Sequence, residues 1–201
     1  MSTLNGQLIP YPQGLGRWLM RLPLLLYRVG LGDLANAAHI MVLTTQGRKS
    51  GLPRHTPIEY RQHGSKIYLI SAWGTRPQWY QNILSNAAVT VQQGRKQFSA
   101  SAHIVTNSGE ALRVLHLFRR RAPAIYDALL ARISEREDID PRTLPEITDR
   151  ITIVRLMPEP GTSKLAPLPA NLVWIWPASL IVGITLTLML TLARSKRTSH
   201  D

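Results

Sequence analysis

The tightest constraint on how this chain can fold is the run Ile40-Met41-Val42-Leu43-Thr44-Thr45, which breaks at once into Gln46-Gly47-Arg48-Lys49-Ser50-Gly51-Leu52-Pro53-Arg54. Aliphatic and β-branched residues at strand length suit a pleated, buried surface, and two glycines and a proline then end the strand. The run reads as a strand that delivers a basic turn. Main-chain amides left uncovered by glycine can form an anion-binding concavity when cations stand beside them. Arg48, Lys49 and Arg54 supply the cations, and Ser50 adds a hydroxyl donor. A P-loop is excluded on spacing, because that motif has glycine directly before its lysine and here Arg48 precedes Lys49. Taken alone, the run also fits a solvated hairpin turn, since turns are polar wherever they occur.

Upstream, residues 1–14 hold Gly6, Pro10, Pro12 and Gly14, which favour a loose arm. Trp18, Leu19, Leu22, Leu25, Leu26 and Val29 then recur at helical intervals, with Arg17, Arg21 and Arg28 between them. This predicts an amphipathic helix interrupted near Pro23, suited either to a membrane interface or to covering one side of a barrel. Residues 30–37 read as a loop. Downstream of the basic turn, strands are expected at 55–61 and 66–72 around a turn at 62–65, so three antiparallel strands follow one another. Pro77 fits the first turn of a short helix carrying Trp79, Tyr80, Ile83 and Leu84 on one face and ending near Asn86. Residues 88–93 and 97–105 read as a hairpin around Gly94-Arg95. Asn107, with Glu110 three positions on, has the form of a helix start for 111–121. Pro123 breaks that helix, a second one is expected to run to about Glu135 before the polar stretch 136–142, and a final strand at 151–156 returns to the sheet. The plan is α+β with an antiparallel sheet able to close as a barrel.

At 201 residues one globular domain is expected. There are 24 Lys and Arg against 12 Asp and Glu, a formal net charge of +12, so long-range electrostatics select an anionic partner. Nucleic acid is not expected, because the sequence has no helix-turn-helix spacing, zinc-ligand pattern or aromatic RNA-binding signature. Cysteine is absent, which removes disulfides and thiolate chemistry, and the histidines lack the spacing of a metal site. No Gly-x-Ser-x-Gly elbow is present. Pro158, Pro160, Gly161, Pro167 and Pro169 lead into residues 172–193, roughly twenty residues without a charge, enough to cross a hydrocarbon core as a helix. Trp174 and Trp176 stand at the start of this segment, and Arg194, Lys196 and Arg197 follow its end, as for a single-pass C-terminal membrane anchor. Cation counting favours the tail inside. The lack of an export signal and of cysteine favours a cytoplasmic domain, which is the expected orientation.

The run Leu43-Thr44-Thr45-Gln46-Gly47-Arg48-Lys49-Ser50-Gly51-Leu52-Pro53-Arg54-His55-Thr56-Pro57-Ile58, then Gly64 and the strand at 66–72, resembles the deazaflavin-dependent nitroreductase family. So do Pro77-Gln78-Trp79-Tyr80-Gln81-Asn82-Ile83-Leu84-Ser85-Asn86 and the closing strand before Pro158, so that the resemblance covers residues 38–160. It implies a split β-barrel of the flavin-reductase, FMN-binding-like type with inserted helices. The expected organisation is an N-terminal arm and helix at 1–37, the barrel domain at 38–160, a Pro-rich linker at 161–171, a transmembrane helix at 172–193 and a basic tail at 194–201.

The resemblance also implies coenzyme F-420 as cofactor, with an anionic phosphate and glutamate tail. Arg48, Lys49, Ser50 and the amides of Gly47 and Gly51 would hold the phosphate, and Arg54 a tail carboxylate or the same phosphate. Pro57, Ser71, Ala72, Trp73 and Gly74 fall where the family places backbone near the deazaflavin ring, while Trp79 and Asn82 would close or support the groove. Where many members read lysine-glycine-glycine, this chain has Trp73-Gly74-Thr75-Arg76, so Arg76 would replace the lysine; Ala87 stands where proline is usual. The implied reaction moves a hydride between the cofactor and an electrophilic acceptor such as a quinone, enone or nitro compound, lipid-soluble if the chain is anchored in a bilayer. Tyr60, Tyr80 and Tyr126 are the candidate phenols for polarising that acceptor, and Tyr126 is favoured because the family carries tyrosines on the second inserted helix. Two other readings stay open: a related oxidoreductase using FMN, and a membrane-tethered binder of an anionic ligand with no catalysis.

Overall fold

A computed structural model of the chain describes residues 14–124, 126–128, 152–161 and 165–172, together with 179, 181–185, 187 and 189. The N-terminal arm, most of the second inserted helix, the polar stretch at 136–142 and the basic tail lie outside the described residues.

Six strands, β1 (Ile40–Gln46), β2 (Pro53–His63), β3 (Lys66–Ser71), β4 (Ala88–Gln93), β5 (Lys96–Ile104) and β6 (Thr152–Glu159), close into an antiparallel barrel in the order β1-β2-β3-β6-β5-β4. The expected barrel with inserted helices is therefore present. Strand β1 pairs with β2, Thr45 opposite Arg54, and also with β4, Leu43 opposite Val91, which shuts the ring. Alternation along each strand separates an interior cluster from two outer ones. Met41, Leu43, Ile67, Leu69, Val91, Val154 and Leu156 fill the interior. Val42 faces outward, where it meets Tyr27, Ala35 and Leu168. Since β1 is covered on both faces, its apolar run is continuous instead of alternating. On the other side, α5 (Ser108–Arg119) lays Ala111, Val114, Leu115 and Phe118 over Tyr68 and Ile153.

Local signals placed several boundaries. The Asn107 side chain caps α5 by accepting from the Glu110 amide at 2.9 Å. The Glu110 carboxylate does not complete a capping box; it accepts from Tyr68 Oη at 2.8 Å and from Arg155 Nη1 at 2.8 Å. Burial alone would raise its pKa, but these bonds hold it below the usual glutamate value. The final strand runs past its expected end through Pro158, which lies opposite Ala100. Pro77 is the residue before α4 (Gln78–Ser85), not part of its first turn.

The N-terminal region differs more from expectation. The predicted single helix is two, α1 (Gly14–Leu19) and α2 (Leu22–Arg28), separated at Met20 and Arg21, and Pro23 opens the second helix, where its missing N–H is tolerated. Part of the expected loop at 30–37 is a third helix, α3 (Gly32–Ala37). Neighbours hold it in place: Asn36 accepts from Tyr60 Oη at 2.8 Å, and Asp33 pairs with Arg95 at 2.9 Å. Of the two roles open to the N-terminal helices, covering the barrel is seen, since Tyr27 is buried against β1.

Beyond β6 the chain straps back across the outside of the barrel. Thr90 Oγ1 donates to the Leu165 carbonyl at 2.9 Å, and the Gln92 amide both donates to and accepts from the Leu168 backbone, at 3.1 and 2.9 Å. Part of the expected linker is therefore docked against β4. Of the described residues of the expected anchor, Leu172 is not helical, while 179, 181–185, 187 and 189 are. Among the described residues no helix is long and apolar enough to cross a membrane.

Candidate functional site

The β1–β2 turn is built around one tight corner. The Gly47 amide donates to the Leu52 carbonyl at 2.9 Å, while its own carbonyl accepts from the amides of Ser50 at 3.1 Å and Gly51 at 2.7 Å. A Cβ on Gly47 would stand 2.7 Å from Ser50 Oγ and 3.2 Å from the Leu52 oxygen, and Gly51 has φ +68°, so both positions call for glycine. This corrects one expectation: the amides of Gly47 and Gly51 are consumed inside the turn and are not free for an anion. What the glycines provide is a compact corner from which Arg48, Lys49 and Arg54 project.

Helix α4 secures the turn from the side. Asn82, almost fully buried, accepts from the Arg48 amide at 3.2 Å and donates to Thr45 Oγ1 at 3.0 Å. Gln78 Oε1 accepts from Arg48 Nη1 at 2.8 Å, which fixes the guanidinium. Ser50 Oγ accepts from Arg54 Nη2 at 3.3 Å. Asn82 thus braces the turn from α4, and Trp79 does two things at once, packing in the barrel core and facing the cleft that opens here.

That cleft, of about 770 Å³, lies between the turn, the start of α4 and the helices α1 and α2. Its volume falls within the usual range for small-molecule sites. Arg48, Lys49 and Arg54 stand on the barrel side, and Arg21 and Arg28 on the helical side. No carboxylate lines it, and none of these five cations forms an ion pair among the described residues. Uncompensated like charges around one concavity focus a field that concentrates anions there. His55 also lines the cleft and shares a 2.9 Å hydrogen bond between its Nδ1 and Thr44 Oγ1. Burial, then the charge of Arg28, lowers its pKa and favours the neutral ring.

Of the residues singled out in the sequence, Gly47, Arg48, Lys49, Ser50, Arg54, Trp79 and Asn82 come together at this cleft. Gly51 closes the turn behind them. Pro57 lies on β2 opposite Val42, outside the cleft lining. Ser71, Ala72, Trp73, Gly74 and Arg76 form the end of β3 and the turn after it, where Ser71 Oγ donates to the Gly74 carbonyl; they also lie outside the lining.

The three tyrosines are elsewhere. Tyr60 Oη donates to Asn36, Tyr80 sits in the barrel core, and Tyr126 Oη donates to Glu59 Oε2 at 2.6 Å while its ring packs edge-on to Phe118 at 5.5 Å. Burial and the Glu59 carboxylate push the Tyr126 phenol far above its ordinary pKa. Trp18, Arg21, Arg28, His55, Gln78 and Leu168 also line the cleft, and the sequence did not place them there. Arg21 and Arg28 carried a signal, cations on an amphipathic helix, that fits lipid as well as an enclosed anion.

A closed barrel with an outer, carboxylate-free cleft walled by cations has the charge and size to suit an anionic small molecule. A family model described as F-420H(2)-dependent quinone reductase matches residues 25–137, more than half of the chain, and the chain belongs to that family. An F-420H(2)-dependent quinone reductase of Mycobacterium tuberculosis is 30% identical over 94 residues, 43% of this chain and 63% of that protein, so the chain spans less than two thirds of the length of this curated relative. Among solved structures, one described as an F-420-H(2) dependent reductase is 22% identical, covering 59% of this chain and 93% of its own at a TM-score of 0.43. The heme storage protein HutZ of Vibrio cholerae is 17% identical, covering 64% and 87%, at a TM-score of 0.46.

Proposed function

We propose that this chain is an oxidoreductase that transfers a hydride between coenzyme F-420 and an electrophilic acceptor of the quinone, enone or nitro class. The observation that carries this reading is the cleft itself: five cations and no carboxylate around about 770 Å³, in a chain of a deazaflavin-dependent family. The residues present fit the cofactor. Lys49 and Arg48 would meet its phosphate, with Arg48 already oriented by Gln78 and Asn82, and Arg54 stands beside Ser50 for the same group or a carboxylate of the tail. When bound, the deazaflavin supplies the hydride chemistry. The chain's part is to bind, orient and exclude water: Trp79 offers an aromatic wall, and Leu22, Leu24, Leu25 and Leu168 dry the opposite side. His55, held by Thr44 and favoured in its neutral form, is the titratable group within the cleft besides the cations.

The reading extends to a membrane-anchored protein with its barrel on the cytoplasmic side and a lipid-soluble acceptor. Its support is the uncharged stretch 172–193 and the exposure of Ile181, Val182, Ile184 and Met189 on helical residues. The domain limits at 38–160, the linker and the anchor are part of the same proposal.

The test is a fluorescence titration of the full chain in detergent with coenzyme F-420 and with FMN. Micromolar binding of coenzyme F-420, weakened about tenfold or more by Lys49→Ala, is expected. Binding of FMN alone, or binding indifferent to Lys49, would overturn the cofactor assignment.

A further inference from the structure

A single phosphate engages two or three cations, yet this cleft presents five from two separate walls. The turn wall holds Arg48, Lys49 and Arg54. The opposing wall is helical: Arg21 stands in the break between α1 and α2, Arg28 ends α2, and Trp18, Leu22 and Leu25 lie between and around them. The residues that the family model matches include Arg28 and begin after Trp18, Arg21 and Leu22. Helix α2 is anchored, not merely adjacent. Tyr27 Oη donates to the Ile40 carbonyl at 3.0 Å and accepts from the Gly94 amide at 3.1 Å, and the Asn171 amide donates to the Arg28 carbonyl at 2.6 Å. Leu168, held by the Gln92 amide, lines the cleft beside Leu24. A helix fixed at this many points can present the guanidinium groups at its two ends in a defined place, as a binding wall requires.

We propose that Arg21 and Arg28 form a second anion subsite that binds carboxylates of an elongated cofactor's tail, while the 47–54 turn binds its phosphate. The juxtaposition of two cationic walls across one carboxylate-free cleft assigns the ligand class: an extended polyanion with separated charged groups. This deepens the cofactor reading and rests on it. Arginine suits the role, because its planar guanidinium remains charged and can meet a carboxylate bidentately.

The experiment compares two probes by fluorescence titration of the full chain in detergent: coenzyme F-420 with its glutamates, and the phosphate-bearing deazaflavin without them. Arg21→Gln with Arg28→Gln is expected to weaken the glutamate-bearing form about tenfold and the truncated form less than about threefold, and to flatten the salt dependence of the first. Lys49→Ala should weaken both forms alike. Thermal melting checks that the exposed arginines can be replaced without unfolding. Equal weakening of both probes by the arginine pair, or none of either, would overturn the second subsite. If wild type binds neither probe, the cofactor reading itself falls, an outcome distinct from a double variant that binds both normally. A double variant that binds both probes normally but loses affinity for anionic vesicles would reassign the wall to lipid phosphates.

Discussion

At the residue scale, the family resemblance points to a phenol for proton transfer, and the structure commits that phenol elsewhere. Tyr126 Oη bonds a carboxylate, Glu59, which also pairs with Arg61, and Arg61 lies 4.9 Å over the Phe118 ring. The group ties the second inserted helix to β2. Removing the hydroxyl deletes a hydrogen bond to a charged acceptor, so Tyr126→Phe is expected to lower unfolding stability by about 1–3 kcal/mol. The turnover number should stay within about twofold of wild type, since the phenol does not line the cleft. Denaturant titration beside steady-state kinetics checks both halves, and a hundredfold fall in turnover at unchanged stability would return Tyr126 to the chemistry. The residues that converge at the cleft were legible for a simple reason: the glycines, cations and serine of the turn sit within eight positions, so local chemistry displays them together. Gln78 and His55 were not, because an amide that orients a guanidinium and a ring held by a threonine look ordinary until the fold brings their partners near.

At the element scale, what held the prediction together was turn chemistry and apolar period. Strands β1 to β5 were readable because glycine-centred turns separate runs of β-branched residues, and Asn107 announced α5. Helix α3 was not readable. Its six residues carry no amphipathic repeat, and contacts with Tyr60, Arg95 and β1 stabilise it, a tertiary override of weak local preference. Helix α2 depends on similar long-range contacts, and the Tyr27 hydroxyl is the most direct of them, joining β1 to the β4–β5 turn. Tyr27→Phe should cost about 1–3 kcal/mol by leaving two backbone groups without that partner. Since Arg28 follows Tyr27 directly, the same change is expected to speed amide exchange in α2 and weaken ligand binding, with no effect on exchange in α5. Hydrogen exchange resolved by peptide decides it. Unchanged protection of α2 would mean that apolar packing of Tyr27, Ala35, Val42 and Leu168 alone holds the helix.

For the whole molecule, the meeting of the N-terminal helices, the basic turn and the strap could not be read from any window of sequence, because it depends on barrel closure and on contacts such as Thr90 with Leu165, 75 positions apart. That meeting has a consequence for the membrane. The strap ends against α2, with Asn171 bonded to the Arg28 carbonyl, so the apolar segment leaves the fold beside the helices that wall the cleft. Trp18, Leu19, Met20 and Leu25 are exposed there, and Ile181, Val182, Ile184 and Met189 are exposed beyond. On the proposed anchoring, a bilayer would take up the second group, and the acceptor would be drawn from it. Two forces could hold the protein to such a surface, and salt separates them. The formal net charge of +12 gives attraction to anionic lipid that fades as the screening length falls to about 3 Å near 1 M salt, whereas burial of apolar side chains does not. The expected result is co-flotation of the full chain with vesicles containing anionic lipid, retained at about 1 M salt and abolished by Ile181→Asp with Ile184→Asp, because each carboxylate costs about 2.5–3.5 kcal/mol near the centre of a spanning helix. Flotation stripped by salt and indifferent to those two substitutions would instead place the protein on the surface through its cations, with 172–193 outside the bilayer.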